Sequence, residues 1–192
     1  MTALILASAS PRRREMLSEA GFFFETAVPG ITESSLPGED VRIMAARLSR
    51  EKAIAVSEKR PDALVIGADT MVDVDGEPFS KPRDRNDAVR MLNVLNGRSH
   101  LVHTGVSIAH SGEVKASFVE TTKVTFGSLS EEEIISFADS GLCGDKAGAY
   151  AIQGRGALLV ERIEGCYYNV VGLPIYRLKE ELKKLAPELF VF

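Results

Sequence analysis

ALVIGADTMVDV, residues 63–74, is the stretch whose reading decides the fold. Its apolar side chains are nearly continuous, where a half-exposed strand would alternate. That pattern marks a strand covered on both faces, the position of a central strand in an α/β sheet. The segment LVIGA then delivers a carboxylate and a hydroxyl, Asp69 and Thr70. An acid at the end of an apolar strand is a common way to present it at the mouth of a cleft. Asp75-Gly76 follows as a tight-turn signal.

Upstream, ALILAS (3–8) reads as a short buried strand. Ser10 offers an N-cap and Pro11 suits the first helical position of PRRREMLSEA, which Gly21 stops. FFFETAV (22–28) is aromatic and β-branched, so a strand is expected. Residues 29–40 carry Gly30, Pro37 and Gly38 and read as a loop. From Val41 to about Lys59, apolar residues at 41, 44, 45, 48 and 54–56 share one face of a helix. Downstream, Asp84 caps a helix that runs to Asn96, with Gly97 as its stop. Two β-rich runs, 99–110 and 113–126, joined by Ser111-Gly112, predict a long hairpin. Ser130 and Glu133 form a capping box for a helix to about Ser140. Residues 141–156 are a glycine-rich structured loop, 156–163 a strand, and 173–185 a closing amphipathic helix.

Helices and strands alternate at first, and the hairpin then interrupts them. The pattern favours an α/β fold with a mixed sheet over a purely doubly wound one. Length and the lack of a linker make residues 1–192 one domain. With 45% apolar and 26% charged residues, the chain has enough core-forming side chains to be globular. Its 23 basic and 27 acidic residues give a net charge of −4. A mildly acidic chain is a poor binder of nucleic-acid polymers, which demand many Lys/Arg–phosphate contacts. No apolar run reaches the roughly 20 residues needed to span a bilayer. The N-terminal apolar stretch has its positive charges after it, which argues against a signal peptide. Cys143 and Cys166 form no CxxC pair and the three histidines no zinc pattern, so a reduced, cytoplasmic setting is expected.

Four places could carry chemistry. Ser8-Ala-Ser10-Pro11-Arg12-Arg13-Arg14 puts three arginines in a first helical turn, against the helix dipole. A polyanion such as a phosphate chain would relieve that conflict, gripped by bidentate guanidinium forks; otherwise this is a solvated basic turn near Glu15 and Glu19. Asp69 reads either as a group that binds a divalent cation or activates water, or as the cap of a turn. Asp73-Val-Asp75 resembles the start of a DxDxT phosphatase strand, but Glu77 stands at its fifth position, so a structural turn is the better reading. Asp145-Lys-Ala-Gly-Ala-Tyr150, with Gln153 after it, is either a glycine-rich connection or a loop whose backbone approaches a ligand. The amide of Gln153 could read the edge of a base. Glu33, Lys52 and Lys81 are lone charges that gain meaning only by grouping. Neither GxxxxGK[ST] nor GxGxxG occurs.

Taken together, SASPRR (8–13), Glu33 in ITES, Glu51-Lys52-Ala53, GADT (67–70), Lys81-Pro82, HTGV (103–106), DKAGAYAIQG (145–154) and YNVVGLP (168–174) resemble the Maf family of nucleoside triphosphate pyrophosphatases, also called septum-formation-type proteins. The resemblance spreads over most of the chain, and the order and spacing of the pieces are specific. It implies a mixed, twisted sheet with flanking helices in an elongated, two-lobed molecule with a central cleft, of the Maf/ITPase-like kind. It implies hydrolysis of a nucleoside triphosphate to the monophosphate and pyrophosphate, aided by Mg²⁺ or Mn²⁺. Asp69 matches the catalytic acid/base and Glu33 a polar cleft position; chemically, these two carboxylates are the expected metal-holding pair. Ser8, Arg12, Arg13, Lys52 and Lys81 match substrate-binding positions. Arg12, Thr70 and Gln153 match positions tied to base choice, in the combination of the dTTP/UTP-hydrolysing subgroup. The family is often dimeric, so a homodimer is compatible.

The leading expectation is therefore a metal-assisted dTTP/UTP pyrophosphatase that clears excess or modified pyrimidine nucleotides. Two others differ in class. One is a non-catalytic, nucleotide-binding regulator of septum formation; the other is a phosphatase with Asp73 as nucleophile. Charge distribution favours a small anionic ligand. The 23 basic residues less the three of Arg12–Arg14 leave 20 against 27 acidic, so an acidic body carries one focused basic turn.

Overall fold

The computed structural model describes residues 3–144 and 146–190. Strand β1 (Ala3–Ala7) leads into helix α1 (Pro11–Glu19), followed by β2 (Glu25–Ala27), α2 (Val41–Ser57) and β3 (Ala63–Val74). Then come β4 (Glu77–Phe79), α3 (Arg85–Leu95), β5 (Ser99–His110), β6 (Glu113–Phe126) and α4 (Glu131–Asp139). The chain closes with β7 (Val160–Glu164), α5 (Tyr167–Val171) and α6 (Ile175–Leu185). Short 3₁₀ turns occupy Ala147–Ala149, Gly154–Leu158 and Pro187–Phe190.

The strands form one mixed sheet in the order β2-β1-β3-β5-β6-β7, with β4 paired to the far end of β3. β1 runs parallel to β2 and β3, and all other pairs are antiparallel. The expected mixed sheet is present, and 63–74 is its centre.

One detail of register positions the site. β1 accompanies β3 only as far as the pair Ala7–Gly67, and β4 joins it only from Val72. Between them, Ala68 to Met71 are paired with β5 on one side alone. The GADT segment therefore lies at an opening in the sheet edge, where the chain leaving β1 diverges into α1.

α2 lies directly over this centre because two glycines let it. A Cβ on Gly67 would sit 2.3 Å from the Ser49 carbonyl oxygen, and one on Gly105 would sit 2.2 Å from that of Ala45. Helix backbone thus touches strand backbone. Ser49 seals the contact by bonding to Ser107 at 2.8 Å. Asp40 caps α2 with its carboxylate, accepting from the amides of Arg42 and Ile43. The helix buries Val41, Met44, Ala45, Leu48, Ala53 and Val56 along one face.

Two apolar clusters flank the sheet opening. One gathers Leu4, Leu6, Leu17, Ile66, Ala68, Ile108 and Leu178. The other gathers Val72, Leu92, Val102, Phe126 and Ile134 beneath α3 and α4. Ala68 belongs to the first and Val72 to the second, so Asp69–Met71 lie where the two meet.

Several boundaries differ from the sequence expectation. Ser10 holds the N-cap position of α1, but its side chain makes no cap bond; its amide donates to Ser8 Oγ at 3.1 Å instead. The aromatic run at 22–24 is not strand. Gly21 (φ +81°) ends α1 with the amides of Gly21 and Phe22 turned back to Ser18 and Leu17, and pairing begins only at Glu25. The expected strand 156–163 begins at Val160, since residues 154–158 coil into a 3₁₀ turn. β4 and α5 had no sequence signal strong enough to name them. The hairpin and the Ser130–Glu133 capping box stand as expected.

Candidate active site

The expected site residues converge. Ser8, Arg12, Arg13, Glu33, Lys52, Asp69, Thr70, Lys81 and Gln153 all line one cleft of about 650 Å³. Asp145 lies outside the described residues; its neighbours Lys146, Ala147 and Tyr150 line the same cleft.

Asp69 is the centre. On β3 it lies two residues beyond Gly67 and shares its face, so it points to the side covered by α2. The close seating of α2 brings Lys52, one turn beyond Ser49, onto it. Lys52 Nζ lies 2.5 Å from Asp69 Oδ1 and 2.8 Å from Glu33 Oε1. Asp69 is 4% exposed and Lys52 5%, whereas Glu33 reaches in from the exposed loop before α2. A buried ion pair of this kind is weak evidence for stability but holds its members in place. The second oxygen, Asp69 Oδ2, is buried and has no hydrogen-bond partner. A carboxylate oxygen left so calls for an explanation. Asp69 lines the cleft, so the open oxygen belongs to a group that borders it.

The opposite wall comes from the segment between β1 and α1. Ser8 Oγ accepts from the Ser10 amide at 3.1 Å and from Arg13 Nη1 at 3.3 Å. With both lone pairs engaged, its own proton is free to be donated to an anion. Arg12 and Lys81 line the cleft without a hydrogen bond or ion pair among the described residues, and so present their charge to whatever enters. Gln153 is exposed at the cleft margin.

Arg13 lines the cleft too, but its guanidinium turns into the protein. Nε donates to Gly172 O at 2.8 Å, Nη1 to Ala68 O at 2.9 Å, and Nη2 to Thr70 Oγ1 at 2.9 Å. Burial pulls its pKa below the ordinary arginine value, opposed by the nearby charges of Asp69 and Glu33. Thr70 passes the connection on to Thr104 Oγ1 at 2.9 Å, and Thr104 reaches the Asn169 carbonyl at 2.9 Å. The HTGV and YNVVGLP motifs thus build the scaffold under Thr70 and Arg13. Thr104, Asn169 and Gly172 carry no sequence signal of this role, since nothing local reveals a contact across so many residues.

Asp73 has a turn-forming role. Its Oδ1 accepts from the Gly76 amide at 2.8 Å and its Oδ2 meets His103 Nε2 at 3.1 Å. Asp75 (φ +56°) and Gly76 (φ +89°) make the β3–β4 turn, as expected for the pair. Among the described residues no three His, Cys, Asp or Glu side chains gather as a metal cage.

With these dispersed residues brought into one cleft, residues 3–185 match a single family model, described as Maf-like protein. The chain belongs to the Maf-like protein family. Among its Maf-like relatives, a protein of Symbiobacterium thermophilum named dTTP/UTP pyrophosphatase is 46% identical over 99% of this chain and 97% of its own length. One of Carboxydothermus hydrogenoformans, with the same name, is 47% identical over 94% of this chain and 97% of its own. A solved HAM1 protein structure from Coxiella burnetii is more distant. It superposes at a TM-score of 0.45 with 12% identity, over 66% of this chain and 73% of that one.

Proposed function

We propose that this protein hydrolyses dTTP and UTP to the monophosphate and pyrophosphate, and that the cleft around Asp69 is where it does so. The observation that carries the reading is Asp69 itself. It is a buried carboxylate clamped on one oxygen by Lys52, with the other oxygen unpartnered in a cleft that also holds Ser8, Arg12 and Lys81. A pure binding site for phosphates has no need of such an acid. Near-full-length relatives at 46–47% identity carrying the name dTTP/UTP pyrophosphatase support the substrate.

In this reading the triphosphate lies along Ser8, Arg12 and Lys81, whose donors and charges hold it against the sheet opening. Lys52 holds the Asp69 carboxylate in place through Oδ1. Oδ2 then orients a water, or takes its proton, for attack on the α-phosphorus, and pyrophosphate leaves. Gln153 meets the base edge, while Thr70, held by Arg13 and Thr104, shapes the floor beside it.

The donor set suits a divalent cation held jointly with substrate. Two carboxylates, Asp69 and Glu33, with an open buried oxygen on the first, fit Mg²⁺ or Mn²⁺ completed by phosphate oxygens and water, whereas an all-protein cage is lacking among the described residues. When bound, such a cation neutralises phosphate charge and polarises the reacting phosphoryl group.

The test is a product assay with dTTP, UTP and Mg²⁺ in ¹⁸O-labelled water. Pyrophosphate and labelled monophosphate are expected. Orthophosphate with the diphosphate would mean attack at the γ-phosphorus and refute the mechanism. Tight nucleotide binding without hydrolysis would replace it with the regulatory reading.

A further inference from the structure

Arg13 stands where a phosphate-binding arginine is expected, yet four of its five N–H groups are spent on the protein. Their acceptors are Gly172 O, Ala68 O, Ser8 Oγ and Thr70 Oγ1, all neutral. A bidentate grip on phosphate needs two parallel N–H groups, and one remains. The acceptors also have a pattern. Ala68 and Thr70 are the two chain neighbours of Asp69, and they lie in the stretch of β3 that neither β1 nor β4 accompanies. Arg13 supplies to the Ala68 carbonyl a donor that a neighbouring strand would have supplied, and a second donor to the Thr70 hydroxyl. Its Nε ties the same point to the turn after α5, where Gly172 (φ +127°) exposes its carbonyl.

We propose that Arg13 is a positioning residue. It braces the sheet opening on both sides of Asp69 and so sets the direction of the Asp69 carboxylate, and the phosphate contacts fall to Ser8, Arg12 and Lys81. The inference rests on Asp69 acting on the attacking water. Asp69 is held at its carboxylate by Lys52, and its two chain neighbours are held by Arg13 through the Ala68 carbonyl and the Thr70 hydroxyl. Loss of the second hold would misdirect Oδ2 without removing a charge the nucleotide feels directly.

The experiment compares R13A, R13K and R12A in the full chain. It measures kcat and KM for dTTP and, separately, the affinity for a non-hydrolysable α,β-imido dUTP, with the unfolding midpoint of each variant. R13A is expected to lose about 100-fold in kcat, the scale of a misplaced catalytic group, with analogue affinity changed by no more than roughly threefold. Millimolar guanidinium, but not methylammonium, should restore part of that kcat. R12A should weaken the analogue by about tenfold or more. R13K keeps charge and volume but lacks the fork, and it should show the same kcat loss if R13A does not fold. Tenfold or greater loss of analogue binding in R13A or R13K would overturn the proposal, as would an R13K indistinguishable from the parent. A D69N variant separates the failures. Normal turnover there would remove the Asp69 reading, whereas an inactive D69N beside a binding-defective Arg13 variant would remove only this inference.

Discussion

Acid should destabilise the protein through His100, a residue outside the proposed chemistry. His100 lies on β5, 4% exposed, with its ring edge-on to Phe126 and Tyr150 at centroid distances of 5.3 and 5.5 Å. Nε2 bonds to the Tyr150 hydroxyl at 2.7 Å, and Nδ1 is buried without a partner. Burial lowers the His100 pKa from 6.5 to about 4. In the unfolded chain the imidazole takes up a proton as pH falls through 6.5, while in the folded protein it stays neutral until about 4. Between those values the unfolded state binds more protons, so stability falls with falling pH. A depression of about 2.5 units at 1.36 kcal/mol per unit amounts to about 3 kcal/mol by pH 4. That is a large fraction of a typical domain stability of 5–15 kcal/mol.

The assay is urea unfolding followed by far-ultraviolet circular dichroism, suited to a chain without tryptophan, from pH 7 to 4. H100Q is the comparison, because it keeps a polar reach toward Tyr150 but does not titrate. Carboxylates lose their contribution in both proteins, so the difference between the two curves isolates His100. Wild type should fall about 3 kcal/mol further than H100Q over this range. Parallel curves, or a His100 ring signal that titrates near 6.5 in the folded protein, would refute the reasoning.

Two further outcomes follow from the site and its support. D69N should lose roughly 10²- to 10⁴-fold in turnover, the usual worth of a general acid–base group, while nucleotide affinity stays level or rises as one negative charge leaves the phosphate site; turnover within tenfold of wild type would remove Asp69 from its role. G105A places a methyl 2.2 Å from the Ala45 carbonyl oxygen, so α2 must lift from the sheet, at a cost of roughly 1–3 kcal/mol in urea unfolding; an unchanged midpoint would show that α2 is not seated as described.

What could be read ahead of the structure divides by range. The central strand, the Ser111-Gly112 hairpin, the cap at Asp84 and the Ser130–Glu133 box are written in residues a few positions apart, where backbone preference and hydrophobic period act directly. The failures are equally physical. FFF at 22–24 has strand-like residues, but Gly21 turns the chain first, and Phe22 and Phe24 pack against the core from outside the sheet. β7 starts late because Gly156 lies against the backbone of Ala151, closer than any side chain would allow. The residues that line the cleft were legible through the family resemblance, although on residue type alone Asp69 could equally have been a turn cap. Arg13 marks where reading by residue type ends. Its side chain is the same whether it grips phosphate or four neutral oxygens, and only coordinates tell the two apart.

The dispersion of the motifs has a single origin in the register of β3. A strand accompanied along both edges satisfies its own backbone and leaves no room for a ligand. Here β1 stops at Gly67 and β4 begins at Val72, and four residues are left to find partners elsewhere. Arg13 from α1 takes the carbonyl of Ala68 and the hydroxyl of Thr70. Lys52 from α2 takes Asp69, which it can reach because Gly67 and Gly105 admit the helix. Thr104 from β5 completes Thr70 and passes the connection to Asn169. Each partner must come from a different element, so the residues that matter are scattered from 8 to 172 and no contiguous fingerprint can exist. Asp69 Oδ2 lies beside this gap, buried and without a hydrogen-bond partner, and in the proposed reading that oxygen is where substrate chemistry belongs.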